Sequence, residues 1–172
     1  MKRLFLWLML IVLFTASFDA AAEAGAPLRL HVIADSNDEN AQELKKTVRD
    51  AILTETAFML AQAQKSEEAY EITVREIRAL RLCARKAARN EGYTGSIRVK
   101  ITRESFPARR YGSVLLPEGS YRALKVEIGS GEGHNWWCVL FPSLCLYGEE
   151  SDGQICFYSS VRTWLKRFFE GE

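Results

Sequence analysis

A histidine and a cysteine stand four residues apart in the sequence, at His134 and Cys138. A cysteine nucleophile needs a thiolate within hydrogen-bond reach of an imidazole, so this pair defines one hypothesis, a cell-envelope hydrolase. However, Cys138 lies inside the apolar run at residues 136–141. Burial among apolar side chains leaves a thiol protonated and unreactive. We therefore expect Cys138 to be a packed or disulfide-bonded residue, and we expect the protein not to be an enzyme.

Metal ligation is the second chemistry that these residue types allow. The chain has two histidines, His31 and His134, so no site that needs three imidazoles can form. Asp35 and Asp38 could join them in a small metal site, but nothing in the spacing of the four residues requires it. We expect His31 to be a structural strand residue. A glycoside hydrolase would need a pair of carboxylic acids. Only their positions in predicted loops or strand ends make three acids candidates for this role: Glu118, Glu127 and Glu132.

Glycines alternate with other residues just before His134, at Gly129, Gly131 and Gly133. A phosphate-binding loop of the dinucleotide type needs a helix directly after its glycines, and here a Trp-rich strand follows. The Lys-Ser or Lys-Thr of a nucleotide-binding P-loop is missing too. We interpret this segment as a mobile connection between two strands and expect no cofactor. Its exposed end, His134 and Asn135, could still contact a partner.

Hydrophobic periodicity predicts the elements that position these residues. A capping box of Ser36 and Glu39 is expected to open a first helix, and a second helix is expected to start at Ser66 and to close at Gly92. Strands are predicted at residues 28–34, 97–101, 122–128 and 136–141, a loop at 106–119, and a short C-terminal helix at 161–169. The predicted fold class is α+β, with a helix pair packed on a small, mainly antiparallel sheet of three or four strands. Residues 28–172 form one globular domain in this interpretation.

The first 24 residues have the pattern of a secretory signal peptide or an N-terminal anchor. A positive start (Met1, Lys2, Arg3) precedes eleven residues, 4–14, without a polar side chain, and alanines follow at 20, 21, 22 and 24. The apolar run is shorter than the roughly 20 residues of a typical membrane span. Export argues against chemistry that depends on ATP or nicotinamide cofactors, and it permits disulfide bonds.

The charge balance bears on partners. The chain has 172 residues, with 23 Lys plus Arg against 22 Asp plus Glu, so bulk charge does not indicate a nucleic-acid binder. Charge is nevertheless segregated: residues 96–125 hold seven Lys or Arg, whereas residues 127–152 hold five acids and no Lys or Arg. This pattern favours a protein partner or a membrane surface. Trp164 and Phe168 of the C-terminal helix either dock on the sheet or contact such a surface.

Cysteine pairing is left open by the sequence. Four cysteines without a CxxC spacing allow three connectivities: Cys83, Cys138, Cys145 and Cys156. Cys138 with Cys145 and Cys145 with Cys156 are the local choices, and Cys83 on a helix can stay free.

Several segments resemble the stage II sporulation protein R family. They are the strand and turn at residues 28–36, the helix start at 44–51, Tyr111 with Gly112, residues 117–124, Ile128 with Gly129, and the double-Trp stretch at 131–145. The resemblance covers residues 28–145, nearly the whole predicted domain. Two departures are visible: Asp35 stands where the family usually has Asn, and Ser143 where a second Pro is usual.

The resemblance implies a signalling protein of endospore-forming bacteria. Members are exported from the forespore into the space between the forespore and mother-cell membranes. There they activate a membrane-embedded aspartic protease of the mother cell, which cleaves the sigma-E precursor. No nucleic acid and no small-molecule substrate is expected. We expect the partner-binding residues in two glycine- and aromatic-rich loops: Tyr111, Gly112, Gly131, Gly133, His134, Asn135 and Trp136.

Overall fold

The computed structural model describes residues 26–111 and 114–142, and it confirms the α+β class. In chain order the elements are β1 (Leu28–Ile33), α1 (Glu39–Met59), α2 (Ser66–Arg75), α3 (Ile77–Asn90), β2 (Ile97–Phe106), β3 (Arg109–Tyr111), β4 (Val114–Leu116), β5 (Gly119–Ile128) and β6 (Asn135–Phe141). The predictions for residues 1–24, for Gly112, Cys145 and Cys156, and for a C-terminal helix lie outside the described residues.

The main sheet has four strands in the order β2-β5-β1-β6. β1 pairs in parallel with β5, so that Arg29 lies opposite Ala123, and it pairs antiparallel with β6. β2 pairs antiparallel with β5. Two of the three pairings are therefore antiparallel, as predicted, but the central one is parallel. All six residues of β1 are buried, because the strand has a neighbour on each side and is covered on both faces.

The helices cover one face of this sheet and form the main core with it. Leu30 and Val32 of β1 pack with Val48 and Ile52 of α1 and Leu80 of α3, and all five side chains are fully buried. These positions alternate along the strand and recur every three or four residues along the helices, so the sequence periodicity follows directly from burial. Among the helices in the described ranges, none is long and apolar enough to cross a bilayer.

The long second helix that the sequence predicts is in fact two helices, α2 and α3, which meet at Glu76. Thr73 Oγ1 donates a hydrogen bond to the backbone oxygen of Ala69, 2.7 Å away. Such bonds from a threonine to the carbonyl four residues earlier compete with the helical ladder and bend helices. The sequence has neither glycine nor proline there, so its strongest breaker signals are missing.

Two further local predictions were wrong. The N-cap of α1 is Asp38 rather than Ser36, because the helix begins at Glu39 and the Asp38 carboxylate accepts from the backbone N–H of Ala41. Ser36 instead donates to the Asp38 carboxylate. The predicted loop at residues 106–119 contains the small β3–β4 hairpin, whose three-residue strands are too short to show a clear alternation.

Candidate partner-binding site

Two loops leave the sheet side by side, because the neighbouring strands β1 and β5 are parallel and their C-terminal ends lie at the same end of the sheet. We call residues 34–37 and 129–135 the paired loops. Gly133 N donates to Ala34 O at 2.9 Å, and His134 N donates to Asn37 Oδ1 at 2.7 Å. Ser130 Oγ donates to Asp35 O at 2.7 Å. The prediction of a mobile connection was therefore wrong: the second loop is fixed by hydrogen bonds to the first.

The glycines of the second loop let it lie close against the first loop and let its backbone turn back. Gly133 is buried, and a Cβ placed on it would lie 2.2 Å from the backbone oxygen of Ser36. Gly131 has a φ of +73°, in the left-handed region where glycine carries no steric penalty. The spacing that superficially resembles a phosphate loop thus reflects how tightly one loop lies against the other.

Asp35 is the polar link between the two loops. Its carboxylate accepts from Ser130 N at 2.8 Å and from the Tyr93 hydroxyl at 3.3 Å. The hydrogen bonds from Ser130, more than that from Tyr93, lower the pKa of Asp35 below its ordinary value of 3.8. The carboxylate is therefore ionised near neutral pH, and its role here is to hold the loops together.

The predicted contact residues of the second loop differ in what they present. His134 uses its backbone for structure, since its oxygen accepts from Lys45 Nζ at 3.1 Å, and its side chain is exposed. Asn135 is exposed too. Trp136 is half-buried against the main core, with the Arg49 guanidinium 4.2 Å from its ring centre. Of this group, His134 and Asn135 offer their side chains to a partner most fully.

Tyr111 does not join the paired loops. Its hydroxyl accepts from Arg29 Nη2 at 3.0 Å, near the start of β1, whereas the paired loops follow the end of that strand. The same hydroxyl lies 3.5 Å from the backbone oxygen of Trp137, to which it can donate. The two predicted contact regions therefore occupy different ends of the sheet.

Arg29 is fully buried beneath Tyr111 without an ion-pair partner among the described residues. Its guanidinium lies 4.3 Å from the Phe106 ring centre and 5.0 Å from that of Tyr121, and Nε donates to Cys138 O at 3.0 Å. Desolvation by burial lowers the pKa of Arg29. Aromatic faces thus take the place of a carboxylate around this cation.

A chain of polar side chains crosses the face of the sheet opposite the helices. His31 Nδ1 donates to the Glu104 carboxylate at 2.6 Å, and Nε2 lies 2.9 Å from the carboxamide oxygen of Asn135. Glu104 also pairs with Lys125. Burial disfavours the charged form of Lys125, but the hydrogen bond and charge of Glu104 outweigh it and raise the pKa of Lys125. This network of hydrogen bonds connects Asn135 of the paired loops to β2, the strand at the opposite edge of the sheet from β6.

Cys138 is not a free thiol. Its side chain belongs to the main core, it is 3% exposed, and it is disulfide-bonded. The partner in that bond lies outside the described residues. Four residues of extended chain also separate His134 from Cys138 by about 13 Å. The His134/Cys138 pair of the hydrolase hypothesis therefore lacks both its nucleophile and its geometry.

The four residues that we considered for a metal site do not converge. His31 is held by Glu104 and Asn135, whereas Asp35 is bonded to the second of the paired loops. Within residues 26–111 and 114–142, no three His, Cys, Asp or Glu side chains lie close enough together to hold an ion.

Comparison with known proteins decides the family. Residues 24–151 match the family model of stage II sporulation protein R. The chain belongs to this family. It is 36% identical over 118 residues to the stage II sporulation protein R of Bacillus subtilis (strain 168). The match covers 69% of this chain and 53% of that relative, so the chain spans about half the relative's length. No solved structure matches.

Membership of the stage II sporulation protein R family associates the chain with sporulation, and the family description names no enzymatic activity. The matched region includes Tyr111 and both of the paired loops.

Sequence reasoning missed the partners that hold the candidate site together. Lys125 lies in the strand predicted at 122–128 and Glu104 lies beyond the end of the strand predicted at 97–101, but neither was linked to His31. Alternation along β2 and β5 places both on the helix-free face, so this signal was present in the sequence. Arg29 carried no such signal, because a buried arginine surrounded by rings has the same local pattern as an exposed one.

Proposed function

We propose that this chain is an exported signalling protein of sporulation that activates a membrane-embedded aspartic protease of the mother cell and so triggers processing of the sigma-E precursor. The observation that carries the proposal is the family match over residues 24–151. In this proposal the pattern at residues 1–24 directs export, and the protein acts in the space between the forespore and mother-cell membranes.

The paired loops supply the surface by which the protein would contact the protease. Their hydrogen bonds fix the backbone at His134 and the side chain of Asn135, so the loops lose little conformational entropy on binding. The protein would act by binding rather than by chemistry. It would favour the active conformation of the protease through a higher affinity for that state.

Reconstitution in a non-sporulating cell tests the proposal. The candidate protease and the sigma-E precursor are expressed with and without this chain, and immunoblotting follows the shortened sigma factor. We expect cleavage with the complete chain and none with a version that lacks residues 1–24. Absence of cleavage, with all three proteins present and this one detected outside the membrane, would contradict the proposal.

A matched pair of variants tests the surface itself. His134→Ala removes an exposed side chain but keeps the backbone N–H and oxygen that bond to Asn37 and Lys45, so the fold should be unaffected. Glu71→Ala alters an exposed position on α2, away from the loops. We expect His134→Ala to reduce sigma-factor cleavage and Glu71→Ala to leave it at the wild-type level. Equal sigma-factor cleavage with the two variants would contradict the assignment of the paired loops to the interface.

A further inference from the structure

Helix α3 is the most strongly charged element that the structure describes. Its fourteen residues include five basic side chains and no acidic one: Arg78, Arg81, Arg85, Lys86 and Arg89. Arg81 Nε donates to the backbone oxygen of Val99 on β2, which draws the helix against the start of that strand.

A cleft opens where the end of α3 faces the start of β2. It has a volume of about 300 Å³, and it is lined by Arg85 and Arg89 of α3, by the loop at residues 93–96 and by the start of β2 at Ile97 and Arg98. That volume matches the lower end of small-ligand pockets. Most of the lining is polar, so an apolar ligand would find little surface to bury.

The arginines of α3 that line the cleft carry positive charge that no neighbouring acid in the described part of the chain neutralises. Within residues 26–111 and 114–142, Arg85 and Arg89 have no carboxylate partner. The Arg98 guanidinium is engaged on the other face of the sheet, where its Nε lies 3.3 Å from Glu127 Oε2. Arg85 and Arg89 therefore give the cleft a net positive charge that an anion can neutralise.

We propose that this cleft binds the phosphate group of a phosphomonoester or phosphodiester. Guanidinium groups form paired hydrogen bonds to oxyanions, and a tetrahedral phosphate can receive them from several directions at once. A single planar carboxylate is satisfied by one such fork, whereas Arg85 and Arg89, one turn apart on α3, can supply two, which favours phosphate. Thr94 also lines the cleft, and its hydroxyl is a further potential donor to a phosphate oxygen.

The cleft is also in contact with the paired loops. Tyr93, which lines it, donates its hydroxyl proton to Asp35, and Ser96 O accepts from Gly129 N at 2.8 Å. A phosphate bound in the cleft would lie beside the loops that we propose as the protease-binding surface. The proposal for the cleft stands without that function, because it depends on the arginines alone.

Binding by the full chain in non-ionic detergent tests this proposal. Inorganic phosphate and glycerol 3-phosphate are titrated while the backbone amide signals of Thr94 and Ser96 are followed by NMR. In parallel, the detergent is removed and the chain is co-sedimented with vesicles of phosphatidylglycerol and, as a neutral control, phosphatidylcholine. We expect both probes to shift the two amides. Retention on phosphatidylglycerol alone would identify lipid as the source of the phosphate, and saturation by the soluble probes without retention would identify a soluble phosphate.

The double variant Arg85→Gln/Arg89→Gln locates the effect. Both side chains are exposed and glutamine is a good helix former, so urea unfolding should be unchanged. Losing two cations should weaken binding to phosphate groups on a membrane by about 30-fold. Arg109→Gln/Arg110→Gln on β3 removes the same charge elsewhere and should leave binding intact. Equal binding by the two double variants would overturn the proposal. So would an acidic peptide that shifts the same amides when the phosphate probes do not.

Discussion

His31 stacks on Trp137, with 3.7 Å between the ring centres and 16° between the ring planes. The two residues lie opposite each other on β1 and β6. Stacking covers one face of the imidazole, while its two nitrogens reach Glu104 and Asn135. This one side chain therefore joins three strands on the face of the sheet that the helices leave open.

Replacing His31 by Phe should keep the stacking and remove both polar contacts. We expect the free energy of unfolding to fall by about 2 kcal/mol, because Glu104 loses a hydrogen-bond donor in a partly buried position. Urea denaturation followed by tryptophan fluorescence measures the change. A variant as stable as the wild type would mean that packing, rather than the polar chain, holds this face together.

Replacing Arg29 by Lys should also destabilise the protein, although the charge is kept. A lysine has no planar group to lie over Phe106 and cannot donate to both Cys138 O and the Tyr111 hydroxyl from two arms of a fork. We expect a loss of about 2–3 kcal/mol. The control is Lys46→Arg on the exposed surface of α1, which should change stability little. Similar thermal midpoints for the two variants would argue against the aromatic cage as a stabilising feature.

Gly133 should tolerate no side chain. Its Cβ would lie 2.2 Å from the backbone oxygen of Ser36, so Gly133→Ala must push the paired loops apart. Overpacking of this kind costs about 1–3 kcal/mol. At Gly119 the nearest atom to an added Cβ is 3.5 Å away, on the Tyr121 ring, so Gly119→Ala serves as the matched control. Hydrogen exchange at Ser130 and His134 should speed up in the first variant alone.

Asp35 should make the stability of the paired loops depend on pH. Its pKa is lowered in the folded state, so its contribution is fully present above the unfolded value of 3.8 and is lost as the pH falls through the folded value. The difference in unfolding free energy between the wild type and Asp35→Asn should therefore be constant near neutral pH and shrink below about pH 4. A difference that stays constant down to pH 2 would show that the charge of Asp35 does not stabilise the loops.

Much of the fold was predictable because burial imposes a period on the sequence. The strands β1, β5 and β6 and the helix α1 were found within a few residues, since their apolar positions face one core. Strand order and direction have no such local signal. The parallel pairing of β1 with β5 depends on contacts between residues as distant as Arg29 and Ala123, and no local pattern contains it.

The candidate site was predictable in part for the same reason. The glycines, His134 and Asn135 stand out by residue type and by position between strands. That the loop containing them is fixed rather than mobile depends on Asp35 and Asn37, which lie in another loop about 95 residues earlier and meet it only in the folded protein.

The position of β1 in the sheet has a consequence for how the domain assembles. β1 is the first described strand of the chain, but it sits between β5 and β6, which are the last two. The helices can form from local contacts, whereas β1 has no neighbour until the chain beyond residue 119 is available. Sheets that depend on such distant pairings fold slowly, because the loop between the partners must first close. The domain should therefore stay open until nearly all of the chain is available, and such late folding would suit the export that we propose for it.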